Sequence, residues 1–324
     1  MAIQTRFYYH LPISVMMHPD ILGADISISL LGFNGMLHLP GVDWNKENRP
    51  YLTKPEISDH AYAMLKQRSD DLRFLWGSIN GWDPKNKAFD VVHLSSFLLD
   101  LNLDTNAITY SNYLHGRGHP LSDQLTSLNS NIDEWFTEFC AWVAIVTKQD
   151  LNVANPLSSV KTPGAGFSYW TEEDDVTSLI GSPFVIATNI DSEAPKKVLH
   201  KSDLIKIFAV INSGRALPQN HLLLNDAREA QARGLARKAA NDAGSAVEIT
   251  LRDYALSNSM ALPARPTLGW YVQNISSLPA DTNTKLLDVR NDAEHFNATF
   301  NPLLVPDAIT IATQIVESFD PLIL

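Results

Sequence analysis

Near residue 200 the apolar side chains change their spacing. Before that point they cluster in short β-branched and aromatic runs separated by glycine, proline and asparagine; after it they recur every three or four positions. A two-residue period suits a half-buried strand and a 3.6-residue period suits an amphipathic helix, so one chain carries two patterns that a single architecture cannot satisfy. The expectation is an α+β protein. Residues 1–198 form a β-rich domain with one packed helix, and residues 199–324 form an all-α helical bundle. The length agrees, because 324 residues hold apolar material for two ordinary cores.

Within the first part, Arg6–Leu11, Asp25–Leu30, Ala88–Leu94, Phe167–Trp170 and Phe184–Thr188 read as strands. One segment departs from that pattern. Leu125, Leu128, Ile132, Trp135, Phe136, Phe139, Trp142, Val143 and Val146 lie on one face of a helix covering Ser122–Lys148, expected to pack on the sheet. In the second part helices are expected at about 202–212, 219–233, 235–256 and 284–298, with a last one opening at Pro306. Gly234 stands where a helix C-cap is wanted. The stretch Asp191–His200 joins the two parts.

The net charge of −11 divides unevenly, −9 in the first 200 residues (14 basic against 23 acidic) and −2 in the remainder (11 against 13). A chain this acidic does not coat DNA through a global basic field, so contact with nucleic acid must be local. The single cysteine, Cys140, excludes an intramolecular disulfide framework. The first residues lack the zones of a signal peptide, and no apolar run approaches the roughly 20 residues that span a bilayer, so a cytoplasmic protein is expected. His115 and His119 sit in a Gly- and Pro-rich loop that supplies only two ligands, too few for a metal centre. The acidic turn Glu172–Asp175 lacks the alternating ligands and glycine bend of a calcium loop. Thr162–Gly166 has no Lys-Ser or Lys-Thr after it and is no phosphate loop.

Chemistry concentrates in Val289-Arg290-Asn291-Asp292-Ala293-Glu294-His295. Spacing alone carries little, since twelve arginines and ten histidines make about 0.4 chance matches per spacing. The helical setting carries more. At 100° per residue, Leu286, Val289, Ala293 and Phe296 form the core stripe and His295 points about 140° from its centre. Asn291 lies one turn before His295, and Arg290 lies near the edge of the stripe. His295 is therefore expected at solvent or at another subunit. Arg290 and His295 diverge too far to form a site within one helix, but a two-fold axis beside the helix brings two copies of each to one groove.

These residues resemble the HEPN family, helical nucleotide-binding modules of higher eukaryotes and prokaryotes, whose motif is Arg, a polar residue, three more residues and His. Asp226-Ala227-Arg228-Glu229-Ala230, Gly234, Ala246-Val247-Glu248, Leu251-Arg252 and Thr267-Leu268-Gly269 are similar to the family as well. The resemblance covers about residues 200–320. A β-rich region ahead of such a domain is similar in layout to the ApeA-like anti-phage proteins.

The resemblance implies a metal-independent endoribonuclease that needs no cofactor and acts as a homodimer or higher homo-oligomer, in anti-phage defence or a toxin-like role. Its partners would be an RNA substrate and a phage or protein trigger sensed by the N-terminal domain, with no membrane. The chemistry is coherent. RNA carries its own nucleophile in the 2′-hydroxyl. A histidine titrates near neutrality and can move the proton, while an arginine grips phosphate in two parallel hydrogen bonds. By this resemblance the catalytic set is Arg290, His295 and Asn291, with Asn291 orienting His295 or a phosphate oxygen. Asp288, Asp292 and Glu294 place negative charge beside it, and Arg228, Arg233, Arg237 and Lys238 offer a local basic edge. The alternative is a non-catalytic HEPN-like dimerisation or nucleotide-binding protein.

Overall fold

A computed structural model describes residues 2–30, 33–53, 55, 76–104, 120–149, 151, 166–171, 178–180, 197–295 and 300–324. The chain divides into two compact units, one made of 1–143, 151–191 and 196–215, the other of 144–150, 192–195 and 216–324. The architecture is mixed, with antiparallel sheets in the first unit and helices dominating the second.

The first unit contains strands β1 (Ala2–Met17), β2 (Asp25–Leu30), β3 (Phe33–His38), β4 (Gly41–Trp44), β5 (Pro50–Thr53), β6 (Gly77–Asn80), β7 (Val91–Asp104), β8 (Gly166–Thr171) and β9 (Ser178–Ile180). The large sheet runs β2-β3-β7-β1-β8-β9, and β4 pairs with β5 alone. Strand β7 is long enough to serve three neighbours. One edge takes β1 over Val92–Asp104, with a bulge between His10 and Val15 of β1. The other edge takes β6 at Val91–Leu94 and β3 at Leu98–Leu101. Gly77 is required where β6 begins: its φ is +128°, and a Cβ there would lie 1.8 Å from the His93 carbonyl oxygen.

Three strands meet at one buried histidine. His38 on β3 is 8% exposed, its Nδ1 2.7 Å from Asp25 Oδ1 on β2 and its Nε2 3.1 Å from Asp100 Oδ2 on β7. Burial opposes the charged imidazole, but the hydrogen bonds and charges of Asp100 and Asp25 outweigh it and raise the pKa. With a carboxylate on each ring nitrogen, the protonated form of the ring can donate both ways.

The expected helix over 122–148 is α1 (Pro120–Thr147). Its aromatics are core. Phe136 meets Phe97 of β7 with ring centroids 6.1 Å apart, so the helix lies on the sheet as its apolar face requires. Helix α2 (Lys201–Asn212) belongs to the first unit. Its Phe208 stacks on Trp135 at 5.7 Å and on Phe139 at 5.4 Å, which ties α2 to the first unit. Residues 196–215 accordingly group with the first unit. The stripe of α2 (Leu204, Ile207, Phe208, Ile211) fits any apolar partner, and periodicity does not say which.

The second unit contains α3 (Gln219–Ala232), α4 (Ala236–Ser257), α5 (Leu268–Asn274), α6 (Asp288–Glu294) and α7 (Val305–Phe319). Gly234, at φ +72°, ends α3 in a Schellman turn: its amide bonds Gln231 O and the Leu235 amide bonds Ala230 O. Helix α4 is central. Ala239, Ala243, Ala246, Val247 and Leu251 are fully buried, and this small-residue stripe lets α3, α6 and α7 approach closely. Helix α7 supplies the opposing face with Val305, Ala308, Ile309, Ala312, Ile315 and Val316. A polar clasp closes the far end, where Asn220 Nδ2 donates to Thr250 Oγ1 (3.0 Å) and Asp320 Oδ2 (2.8 Å). Helix α5 was not expected, because Pro263 and Pro266 conceal a start that the Thr267 side chain caps.

The motif helix also differs from its expected form. It opens as a π-helical turn over Asn283–Leu287, with the Asp288 amide reaching back to Asn283 O, and its α-helical part ends at Glu294. Phe296 and the expected continuation to 298 lie outside the described residues, as do His115, His119, residues 172–175 and the expected strand at 184–188. Among the described residues, no helix is long and apolar enough to cross a membrane.

Candidate functional site

The site is built on α6 and on the face of α4 beneath it. Val289 and Ala293 are buried at 4% and 1%, which fixes the azimuth of the helix. His295 is then exposed, as the wheel requires, and takes the C-cap position with its amide bonded to Asn291 O at 3.0 Å. Asn291 is half-buried. It thus holds His295 through its backbone carbonyl.

Arg290 is placed most tightly. Its side chain is 18% exposed, NH2 lies 3.3 Å from Glu248 Oε2 on α4, and NH1 lies 3.4 Å from Glu294 Oε2 one turn on. The stem runs across the backbone of α4 at Gly244. A Cβ on Gly244 would sit 2.6 Å from Arg290 Cδ and 2.7 Å from Cγ, inside van der Waals contact. The absence of a side chain at 244 is what allows Arg290 its place. A glycine among helix-forming alanines costs about 1 kcal/mol against alanine, and that cost was the signal in the sequence that something must pass there.

The end of α6 is held from below. Arg237 of α4 donates to Asp292 O (3.0 Å) and Ala293 O (3.1 Å), a cation placed on the carbonyl end of a helix. Its guanidinium also lies 4.5 Å from the centre of the Phe300 ring, so one arginine grips the chain on both sides of the 296–299 segment. This role revises the expected basic edge. Arg228 donates to Thr313 Oγ1 at 3.2 Å, and burial lowers its pKa against the raising effect of Glu317. Lys238 pairs with Asp242, and Arg233 stands 3.8 Å from Glu229. All four cations are engaged inside the unit.

The arrangement therefore brings an exposed imidazole and a clamped guanidinium to one short helix. Compared with protein-family models, with curated proteins and with solved structures, the chain matches none.

Proposed function

We propose that this chain is a metal-independent endoribonuclease of the HEPN type, an effector in anti-phage defence or a toxin-like role, acting in the cytoplasm. The helical unit would be a HEPN-like bundle, dimeric or of higher order, and the β-rich unit would sense a phage or protein trigger. One observation carries this reading: α6 fixes Arg290 in a defined position while leaving His295 exposed at its end, the division of labour that strand cleavage needs. Two copies across a two-fold would supply two imidazoles and two guanidiniums to one groove. One His295 takes the proton of a ribose 2′-hydroxyl as its oxygen attacks the adjacent phosphorus. The P–O5′ bond breaks, and the departing oxygen receives a proton from the second imidazole. Arg290 stabilises the charge gathering on the phosphoryl oxygens. The products would be a 2′,3′-cyclic phosphate and a 5′-hydroxyl.

The test is cleavage of defined RNAs by the purified full chain, with and without chelator, beside His295→Ala and Arg290→Ala. Chelator-insensitive cutting with cyclic phosphate ends, lost in both variants and absent on substrates with a 2′-deoxyribose at the scissile position, is expected. Equal cleavage by wild type and His295→Ala would overturn the assignment.

A second reading is favoured by a separate observation, the saturation of Arg290 by Glu248 and Glu294. A guanidinium flanked by two carboxylates meets phosphate only by competing with them. On that reading the unit is a non-catalytic dimerisation or nucleotide-binding module, and Arg290→Ala and His295→Ala alter stability but no RNA chemistry.

A further inference from the structure

Three metal-ligating side chains far apart in sequence meet in the first unit. His18 follows the end of β1, Asp20 lies in the short 3-10 turn Pro19–Ile21, and His200 is the N-cap of α2. His200 Nδ1 is 3.1 Å from Asp20 Oδ2, His18 Nδ1 is 3.3 Å from Asp20 Oδ1, and all the ligand atoms lie within 4.8 Å of one another. The two imidazoles stack with centroids 4.2 Å apart and turn the same nitrogen towards the carboxylate. Metal–ligand bonds of about 2.0–2.2 Å in tetrahedral geometry put neighbouring ligand atoms about 3.3–3.5 Å apart, close to the two distances to Asp20 and within the 4.8 Å that bounds the whole set.

The frame beneath is rigid. The His18 amide donates to Leu199 O at 2.8 Å and the Leu199 amide to Met16 O at 3.1 Å, which binds the end of β1 to the residues before α2. Met17, Ile21 and Leu199 are buried at 1% or less and form an apolar floor under the polar cluster. Side chains of the three residues are 39–43% exposed, which leaves an entry path and room for a water ligand. The carboxylate is oriented by the Lys201 amide, 3.1 Å from Oδ1. Although burial pulls the other way, the bonds from His200 and Lys201 hold the Asp20 carboxyl below its ordinary range, so it is ionised and ready to bind. The nearby Lys197 and Asp203 neutralise each other at 2.9 Å.

We propose that His18, Asp20 and His200 bind one divalent transition-metal ion of the zinc class, which staples the end of β1 to the start of α2. Two imidazoles with one carboxylate select such an ion over calcium or magnesium, which take oxygen ligands. Binding replaces the 3.1 Å contact between His200 Nδ1 and Asp20 Oδ2. It also replaces the 3.2 Å contact from the Asp20 amide to His18 Nδ1, long for a hydrogen bond. The three ligands belong to the first unit and Arg290 and His295 to the second, and the proposal is independent of the RNA-cleavage reading.

The chelator-stripped full chain is titrated with Zn2+ by calorimetry and with Co2+ by visible absorption, and its thermal unfolding is followed with and without Zn2+. Expected are one ion per chain, the intense d–d absorption of four-coordinate Co2+, and a Tm that rises with Zn2+. His200→Ala weakens binding by at least the roughly 10–100-fold that even an outer-shell partner is worth. The conservative pair His18→Asn with His200→Asn keeps polar groups facing Asp20, and folds with wild-type circular dichroism while losing both the Co2+ spectrum and the Tm shift. Replacing His115 and His119 by Ala leaves all three readouts intact. Absence of saturable Zn2+ binding to the folded wild type, or wild-type affinity and Tm shift in the paired Asn variant, overturns the proposal.

Discussion

Replacing Gly244 by alanine isolates the contact that positions Arg290. In a helix interior the change should help, because alanine is favoured over glycine by about 0.8–1.0 kcal/mol. Here the new Cβ would fall 2.6 Å from Cδ and 2.7 Å from Cγ of Arg290, about 1 Å inside normal carbon contact. The clashing atoms are the middle of the side chain rather than its tip, so a small bend does not relieve them. The stem must leave the surface of α4, and the guanidinium then loses Glu248 and Glu294 together. Overpacking of this kind costs about 1–3 kcal/mol, so the net effect in the wild-type background runs from about neutral to about 2 kcal/mol destabilising. With Arg290→Ala already present the obstacle is gone, and Gly244→Ala should stabilise by its full helical gain. The coupling between the two positions is therefore about 1–3 kcal/mol, measurable by urea unfolding of the four proteins in a double-mutant cycle. If Gly244→Ala changes stability equally in both backgrounds, Arg290 does not lie across Gly244 and the account of the site fails, whatever the protein does to RNA.

Other consequences follow from single contacts. The pKa of His38 is raised above the ordinary histidine value of 6.5, so its contribution to stability is complete below about pH 6.5 and is lost as the pH rises through the folded-state value. Unfolding measured from pH 5 to pH 9 should show this alkaline loss in the wild type and not in His38→Gln. Arg237→Ala removes two hydrogen bonds from a charged donor to the end of α6, with an expected cost of about 2–4 kcal/mol by chemical denaturation and faster amide exchange at His295. The Cys140 thiol is 5% exposed and burial pushes its pKa up strongly, so maleimide labelling should be negligible in the folded protein and complete in denaturant.

Those parts of the fold that depend on one element's own periodicity were legible. The stripes of α4 and α7 appear in the sequence where the structure buries them, because a 3.6-residue repeat of apolar side chains fixes which face turns inward. The exposed azimuth of His295 was legible for the same reason. Choices between equivalent partners were not. Leu204, Ile207 and Phe208 would suit either unit, and only the stack of Phe208 on Trp135 and Phe139 assigns α2 to the first. Likewise Glu248 and Arg290 are 42 residues apart, and His200 and Asp20 are 180 apart. No local rule pairs residues at such separations. The π-turn at Asn283–Leu287, which touches α4 and α7, leaves no compositional mark.

That π-turn carries a consequence for how the protein tolerates changes in length. A wide turn holds a surplus residue over the same axial advance, so a deletion there can heal into ordinary α-helix with everything downstream still aimed as before. An insertion or deletion anywhere between Leu287 and His295 would instead swing the imidazole round by about 100° per residue. Indels in descendants of this chain should therefore accumulate ahead of the motif and be purged within it.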